Sequence, residues 1–220
     1  MRMIPSPATD VRGLLSRLRR SQRGIALTEF AFALPIFVTL LFGGLEVINL
    51  VMAHMRVSQI AISVADNAGR VRQSIDESDI YEIFAGADLV AGSTDFAQNG
   101  KIVLSSLQPN TMPPQSGKSG QMIGWQRCHG SLAVEPAYGK ETKGNSDYSL
   151  IDGMGPTGNK IRAADGTAVM FVEVSYRYTP QILPSIVTGG LDLRYESAFN
   201  VRERSNQSIS NAQNLTVNSC

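Results

Sequence analysis

The sequence predicts an α+β protein: a long N-terminal transmembrane helix that continues into a small exported domain built on an antiparallel sheet. Three observations predict it. An uncharged, apolar run covers residues 30–45. Apolar residues at three- and four-residue spacing persist beyond it. Two later segments, 168–178 and 191–201, alternate apolar and polar side chains. With 220 residues, 43% hydrophobic and 18% charged, the chain allows one modest core plus an anchor. A formal net charge of +1 gives the molecule as a whole no electrostatic reason to seek nucleic acid, and no such partner is expected.

Residues 25–28 before the run and 47–53 after it extend it past the ~20 apolar residues that cross a bilayer. Only Glu29 and Glu46 interrupt it. Arg2, Arg12, Arg17, Arg19, Arg20 and Arg23 stand before it against the lone Asp10, while the stretch after it offers Arg56 and little else until Asp66. That asymmetry holds the N-terminus in the cytoplasm and sends the C-terminal portion outward. Two alternatives exist. A buried core helix seldom follows a string of arginines. A long signal peptide ending at Ala53, with Val51 as the other small-residue position, would release a soluble protein starting at His54. The basic segment is longer than that needs, and the apolar run exceeds the usual length.

Pro35 lies inside the run, where a membrane helix tolerates the missing N–H better than a soluble one. Beyond the span, Val57, Ile60, Ala61, Val64, Ala68 and Val71 mark one face of a helix. If continuous from residue 25 to about residue 73, that helix would reach roughly 70 Å and pack sideways on copies or relatives of itself.

Glu29, at the start of the apolar run, is costly in lipid and should have a cationic partner. Cleavage between Gly24 and Ile25 would create one, the new α-amino group of Ile25. In an assembly Glu29 of one subunit then faces the amine of its neighbour and sets their axial register. The glycine, having no Cβ, lets a peptidase approach the backbone. The alternative for Glu29 is a carboxylate drawn to water at the membrane rim; Glu46 reads equally well as a residue reaching water at the outer interface.

The segment Arg23-Gly24-Ile25-Ala26-Leu27-Thr28-Glu29-Phe30, followed by Ala33-Leu34-Pro35 and by Leu41-Phe42-Gly43-Gly44-Leu45-Glu46, resembles the N-terminus of TadE-like and TadG-like pseudopilins of tight-adherence (Flp) pilus systems. The resemblance covers roughly residues 20–72, about a quarter of the chain. It implies a pilin-like fold and processing by a prepilin peptidase. It implies a role in assembling, or forming the tip of, an adhesive pilus, with other pilins or pseudopilins as partners. Gly24 and Ile25 become the scissile pair, Glu29 the recognition or register carboxylate, and Phe30 its aromatic neighbour, in place of the tyrosine of some members.

Residues 76–90 read as a short amphipathic helix with Ser78 or Asp79 as its cap. Residues 101–107 and 122–128 are weaker strand candidates, and 109–120 and 139–166 carry the Gly, Pro, Ser and Asn of loops. In 168–178, Ala168, Met170, Val172, Val174, Tyr176 and Tyr178 share one face; in 191–201, Leu191, Leu193, Tyr195, Phe199 and Val201 do. Joined through Thr179, Pro180, Pro184 and Gly189-Gly190, these two strands predict an antiparallel pair with one wet face, laid on the upper helix. The polar tail from Arg202 needs a tie to be ordered. Cys128 and Cys220, the two cysteines, suit one disulfide in an oxidising compartment, or else remain two unrelated thiols.

No catalytic constellation is expected, and neither a metal nor a cofactor. Gly153-Met154-Gly155-Pro156-Thr157-Gly158 matches a dinucleotide fingerprint in letters alone, without the strand and helix that give it meaning. Gly117-Lys118-Ser119 lacks the first glycine of a phosphate loop, Met112 standing in its place. His54 and His129 lack spaced partners, no serine has a nucleophile setting, and Trp125 reads as packing in the sheet. The domain reading is a basic cytoplasmic leader (1–24), a transmembrane and projecting helix (25–75) and an exported domain with a loop-rich middle and polar tail (76–220). The chain is expected in the bacterial inner membrane, single-pass, with its C-terminus periplasmic, and in the extracellular pilus once assembled. The rival reading is a permanently anchored periplasmic binding or adhesion module.

Overall fold

The computed structural model describes residues 13, 16, 23–92, 95–182 and 190–220. The arginines at 2, 12, 17, 19 and 20, and Pro184 and Gly189 of the expected connection, lie outside the described residues. The elements in chain order are α1 (Arg23–Arg70), β1 (Ile75–Asp76), α2 (Glu77–Ala91), α3 (Phe96–Asn99), β2 (Gly100–Pro109), β3 (Gln121–His129), β4 (Val169–Tyr178), β5 (Leu191–Asn200) and β6 (Ile209–Ser210). The fold is α+β: a long apolar N-terminal helix followed by a domain with a four-stranded antiparallel sheet in the order β3-β2-β4-β5.

The chain divides into two compact units, Met1–Ile48 and Asn49–Cys220. In the first, α1 is long and apolar enough to cross a membrane. Its large side chains lie bare, Leu27 and Leu40 at 70% exposure and Phe32 at 79%. Helix continues through Pro35, and the Thr39 hydroxyl donates to the Pro35 carbonyl at 2.8 Å.

In the second unit α1 has a different surface. Ala53, Val57, Ile60, Ala61, Val64, Ala65 and Ala68 are all buried. They share a core with Ile80, Phe84 and Ala87 of α2, and with Ile102, Leu104, Met170, Val172 and Val174 of the sheet. Alanines on the helix permit a close approach: a Cβ on Gly69 would stand 3.3 Å from the Asn200 carbonyl oxygen. Helix α2 begins one residue later than its pattern suggests. Its cap is Asp76, whose carboxylate accepts from the Ser78 amide at 3.1 Å, while Asp79 accepts from the Asp76 amide at 2.8 Å. Asp79 thus closes the capping box from inside the helix.

The expected wet face of the β4–β5 pair is corrected. Val169, Phe171 and Glu173, on the side away from α1, are buried, because residues 130–168 fold back over them. This cover contributes Leu150, Met154 and Ala163 to a second core with Leu107, Ile123 and Phe171, and Tyr138 packs against it. It is pinned by side-chain amides acting as extra strands. Gln121 donates to the Ala163 carbonyl at 3.1 Å and accepts from the Ala163 amide at 2.8 Å, and Asn110 donates to the Gly144 carbonyl at 2.7 Å. Gly153 and Gly144 have φ of 87° and 81°, and a Cβ at either would strike the carbonyl of Ile161 or Gln121. In β5 the alternation is only half used: Leu193 is buried, but Leu191 and Tyr195 of this outer strand are exposed.

Charges are buried on both sides of the sheet. Toward the helices, Arg127 donates from Nε to Glu77 Oε1 at 2.7 Å and from Nη1 to Glu141 Oε2 at 2.9 Å. Toward the cover, Glu173 Oε2 accepts from Arg194 Nη2 at 2.7 Å and from the Ala137 amide at 3.0 Å, and burial pushes its carboxyl up. Arg127→Met strands the Glu77 carboxylate and is expected to cost about 3–5 kcal/mol. The double change Arg127→Met, Glu77→Leu should recover most of that loss. Urea denaturation of the full chain in detergent measures both, and a double variant as unstable as the single one would show that shape, not charge, sets the cost.

Candidate processing and assembly site

The residues singled out in the sequence fall in two places. Gly24, Ile25, Glu29 and Phe30 occupy the first turns of α1. The Thr28 hydroxyl donates to the Ile25 carbonyl at 2.8 Å. Ile25 is 53% and Phe30 60% exposed. A Cβ added at Gly24 would meet nothing within 4 Å. The fold itself therefore does not require glycine there. Glu29 has no hydrogen bond or ion pair with any described residue. Glu46 is half-buried and does have a partner interaction.

Cys128 and Cys220 are joined in a disulfide, with Cα atoms 5.1 Å apart and a sequence separation of 92. It anchors a strap, residues 201–220, that runs back over the domain. Near its start, the Arg202 amide donates to the Gly69 carbonyl at 3.1 Å. The buried Arg204 guanidinium donates to the carbonyls of Ala68 at 2.6 Å and Val71 at 3.2 Å. A cation thus closes the C-terminal end of α1, where carbonyls lack partners and the dipole is negative. Burial lowers the pKa of that guanidinium. Farther on, Gln207 accepts through its carbonyl from Trp125 Nε1 at 3.0 Å, and β6 pairs in parallel with β1. Asn218 accepts from the Cys128 amide at 2.8 Å.

Asp76 is the hinge of this arrangement. One carboxylate oxygen caps α2; the other accepts from Ser210 Oγ at 2.7 Å and from the Ala212 amide at 2.9 Å. The Ser210 hydroxyl, then the Ala212 and Ser78 amides, bring its pKa down to about 2. Sequence reasoning passed over Asp76, Arg204 and Arg127. The acidic triplet spacing at 76 and 79 was the available signal for the first. Nothing in the polar tail distinguishes Arg204 from its neighbours.

The other motifs are structural. Cys128 is in the disulfide, and His129 Nε2 meets Asp88 Oδ1 at 2.9 Å while its ring stacks on Phe84. Lys118 pairs with Asp152 at 2.7 Å in a tight turn closed by Gln115. Met154, within the glycine-rich string, is a fully buried residue of the cover. Among the described residues no three His, Cys, Asp or Glu side chains are grouped as metal ligands.

Residues 24–66 match the family model described as TadE-like protein. The match starts at Gly24 and takes in the apolar run and most of the packed half of α1. No curated protein and no solved structure matches the chain.

Two measurements address the strap. Closing a loop of this length is worth about 4–5 kcal/mol in the chain-entropy model. Cys220→Ser should therefore lower the denaturation midpoint strongly, and equal midpoints would show that the hydrogen bonds alone hold the tail. Because the Asp76 pKa is depressed, its contribution is complete above the ordinary carboxylate range and is lost as pH falls toward about 2. The protection of the Ala212 amide against exchange, relative to its intrinsic rate at each pH, should fall across that window, and Asp76→Asn should remove that change in protection.

Proposed function

We propose that this chain is a pseudopilin precursor of a Tad-type (Flp) pilus system, cut after Gly24 by a prepilin peptidase. Residues 1–24 are the cytoplasmic leader, 25–75 the transmembrane and projecting helix, and 76–220 the exported domain. The chain enters the inner membrane with its C-terminus periplasmic, and the processed form joins other pilins or pseudopilins in assembling or tipping the filament. It acts as a structural and interaction protein, not an enzyme.

The observation that carries this reading is Glu29. An exposed carboxylate with no described partner stands five positions after Gly24, at the head of a helix whose apolar side chains are uncovered. In lipid such a group calls for a cation. Cleavage at Gly24 supplies one in the Ile25 amine, and lateral packing with a neighbour covers the apolar surface and the carboxylate together. The match of residues 24–66 to the TadE-like family supports the same reading, as does the room around Gly24, where an added Cβ would meet nothing within 4 Å and packing gives no reason for a glycine. The disulfide suits an oxidising compartment.

The test is the N-terminus of the mature protein, read by mass spectrometry of membrane and sheared extracellular fractions. The wild type should begin at Ile25, and Gly24→Val should remain uncut. Glu29→Ala should be cut yet fall in the sheared fraction by about tenfold or more, the factor equivalent to ~1.4 kcal/mol of subunit register energy. An intact start at Met1 would make the chain a permanently anchored periplasmic module, and a start at His54 a secreted protein.

A further inference from the structure

At the end of the apolar run, Asn49, Met52 and Arg56 lie on successive turns of α1 and form one wall of a cavity of about 280 Å³. Asp95, Tyr176 and Tyr178 face them. The cavity holds one charge of each sign, and the two do not neutralise each other. Arg56 makes no hydrogen bond or ion pair with any described residue, and the Asp95 carboxylate has no cation within ion-pair distance among them. Both nevertheless act on the Tyr176 phenol. Burial chiefly raises its pKa, Asp95 raises it further and Arg56 lowers it. Tyr176 is fixed in turn by stacking on Phe96, with ring centroids 6.0 Å apart.

A cation and an anion held apart in one concave site fit a ligand that carries both signs. The place of the cavity along α1 narrows the choice. Asn49 directly follows Ile48, and Arg56 lies seven residues farther, about 10 Å of helix rise. Helical side chains lean toward the N-terminus, so the Arg56 guanidinium reaches back toward the apolar run, as arginines at a membrane surface do. Tyrosine is the aromatic partner favoured at that depth. The headgroup layer beyond the hydrocarbon core is ~5–8 Å thick on each side, and Arg56, three residues or ~4.5 Å of helix rise past Ala53, lies within that distance of the end of the apolar run.

We propose that this cavity binds the headgroup of a zwitterionic aminophospholipid, its phosphate on Arg56 and its ammonium at Asp95. The assignment rests on the reading of α1 as a membrane anchor. Bound there, the lipid holds the exported domain at the bilayer surface until the subunit is drawn out of the membrane, when the headgroup must be released. The site gives an assembly subunit a lipid-dependent resting state.

The experiment uses the full chain in two settings. In nanodiscs, native mass spectrometry counts retained phosphatidylethanolamine against phosphatidylglycerol. In detergent, titration with soluble O-phosphoethanolamine, and with inorganic phosphate as the comparison, probes the cavity without a bilayer. Wild type should prefer phosphatidylethanolamine at least fivefold. Arg56→Gln should lose both lipids, Arg56→Lys should keep binding, and Asp95→Asn should bring the two lipids within twofold of each other. Retention unaffected by Arg56→Gln, or equal retention of both lipids by the wild type, overturns the proposal. Inorganic phosphate competing as well as O-phosphoethanolamine does so too. Soluble-probe binding by a chain that alkaline carbonate strips from membranes would sink the anchor reading and the lipid assignment with it, while leaving a phosphoethanolamine site.

Discussion

The structure depends on one constraint: a single helix serves two surroundings. Up to Ile48 the large apolar side chains of α1 lie bare, with Glu29 and Glu46 as the carboxylates among them. From Ala53 onward most of the helix's apolar residues go to a protein core, and its outer face carries Met55, Ser58, Gln59, Ile62, Ser63, Asp66 and Asn67. The change of pattern within an uninterrupted helix determines what can be built beside it. Four alanines in the packed stripe keep the helix close to the sheet, and α2 fills the angle between helix and β3. Because α1 supplies one wall of that core, the domain that follows has no complete core of its own without residues 53–68.

The two periodicities made most of this legible. Three- and four-residue spacing marked α1 and α2, and alternation marked β4 and β5; the limits of α2, β4 and β5 agree to within a residue, while α1 ends at Arg70, three residues short of the expected limit. Strands β2 and β3 carried weaker signals. Ser105 and Ser106 interrupt the apolar pattern, and a bulge shifts the register after Ser106. What the pattern could not reveal was the far face of the sheet. Phe171 alternates out of phase with the stripe that faces α1, and it is covered by a long irregular segment whose glycines and prolines signal only that it turns. A cover of this kind is held by amide-to-backbone bonds between residues far apart in sequence, such as Gln121 with Ala163, and these leave no local periodicity. The candidate processing segment lay open to view because its signal is linear: glycine, four residues, a carboxylate and an apolar run. The cavity at Arg56 is assembled from three separate segments and could not be read in that way.

Both buried charge groups follow from the same layering. Arg127 and Glu173 point to opposite faces of the sheet, each beneath a layer that removes water. Each is met by a charge from a different segment: Arg127 by Glu77 of α2 and by Glu141 of the cover, Glu173 by Arg194 of β5. Since an unpaired ion in either place would be costly, these contacts select a single arrangement of α2, the cover and the sheet edge. Apolar packing alone would tolerate several.

The strap changes how the domain would carry a mechanical load. A pull along α1 leaves the helix by two parallel routes. One is the covalent chain through residues 71–76 into α2. The other is the set of bonds from the carbonyls of Ala68, Gly69 and Val71 to Arg202 and Arg204. The second route ends at Cys220, which is covalently joined to β3. Tension applied along α1 is thus divided between the helical layer and the sheet, and the disulfide keeps residues 201–220 from peeling away. Extension is limited to slack within a closed covalent loop, which makes residues 201–220 a tensile member of the domain.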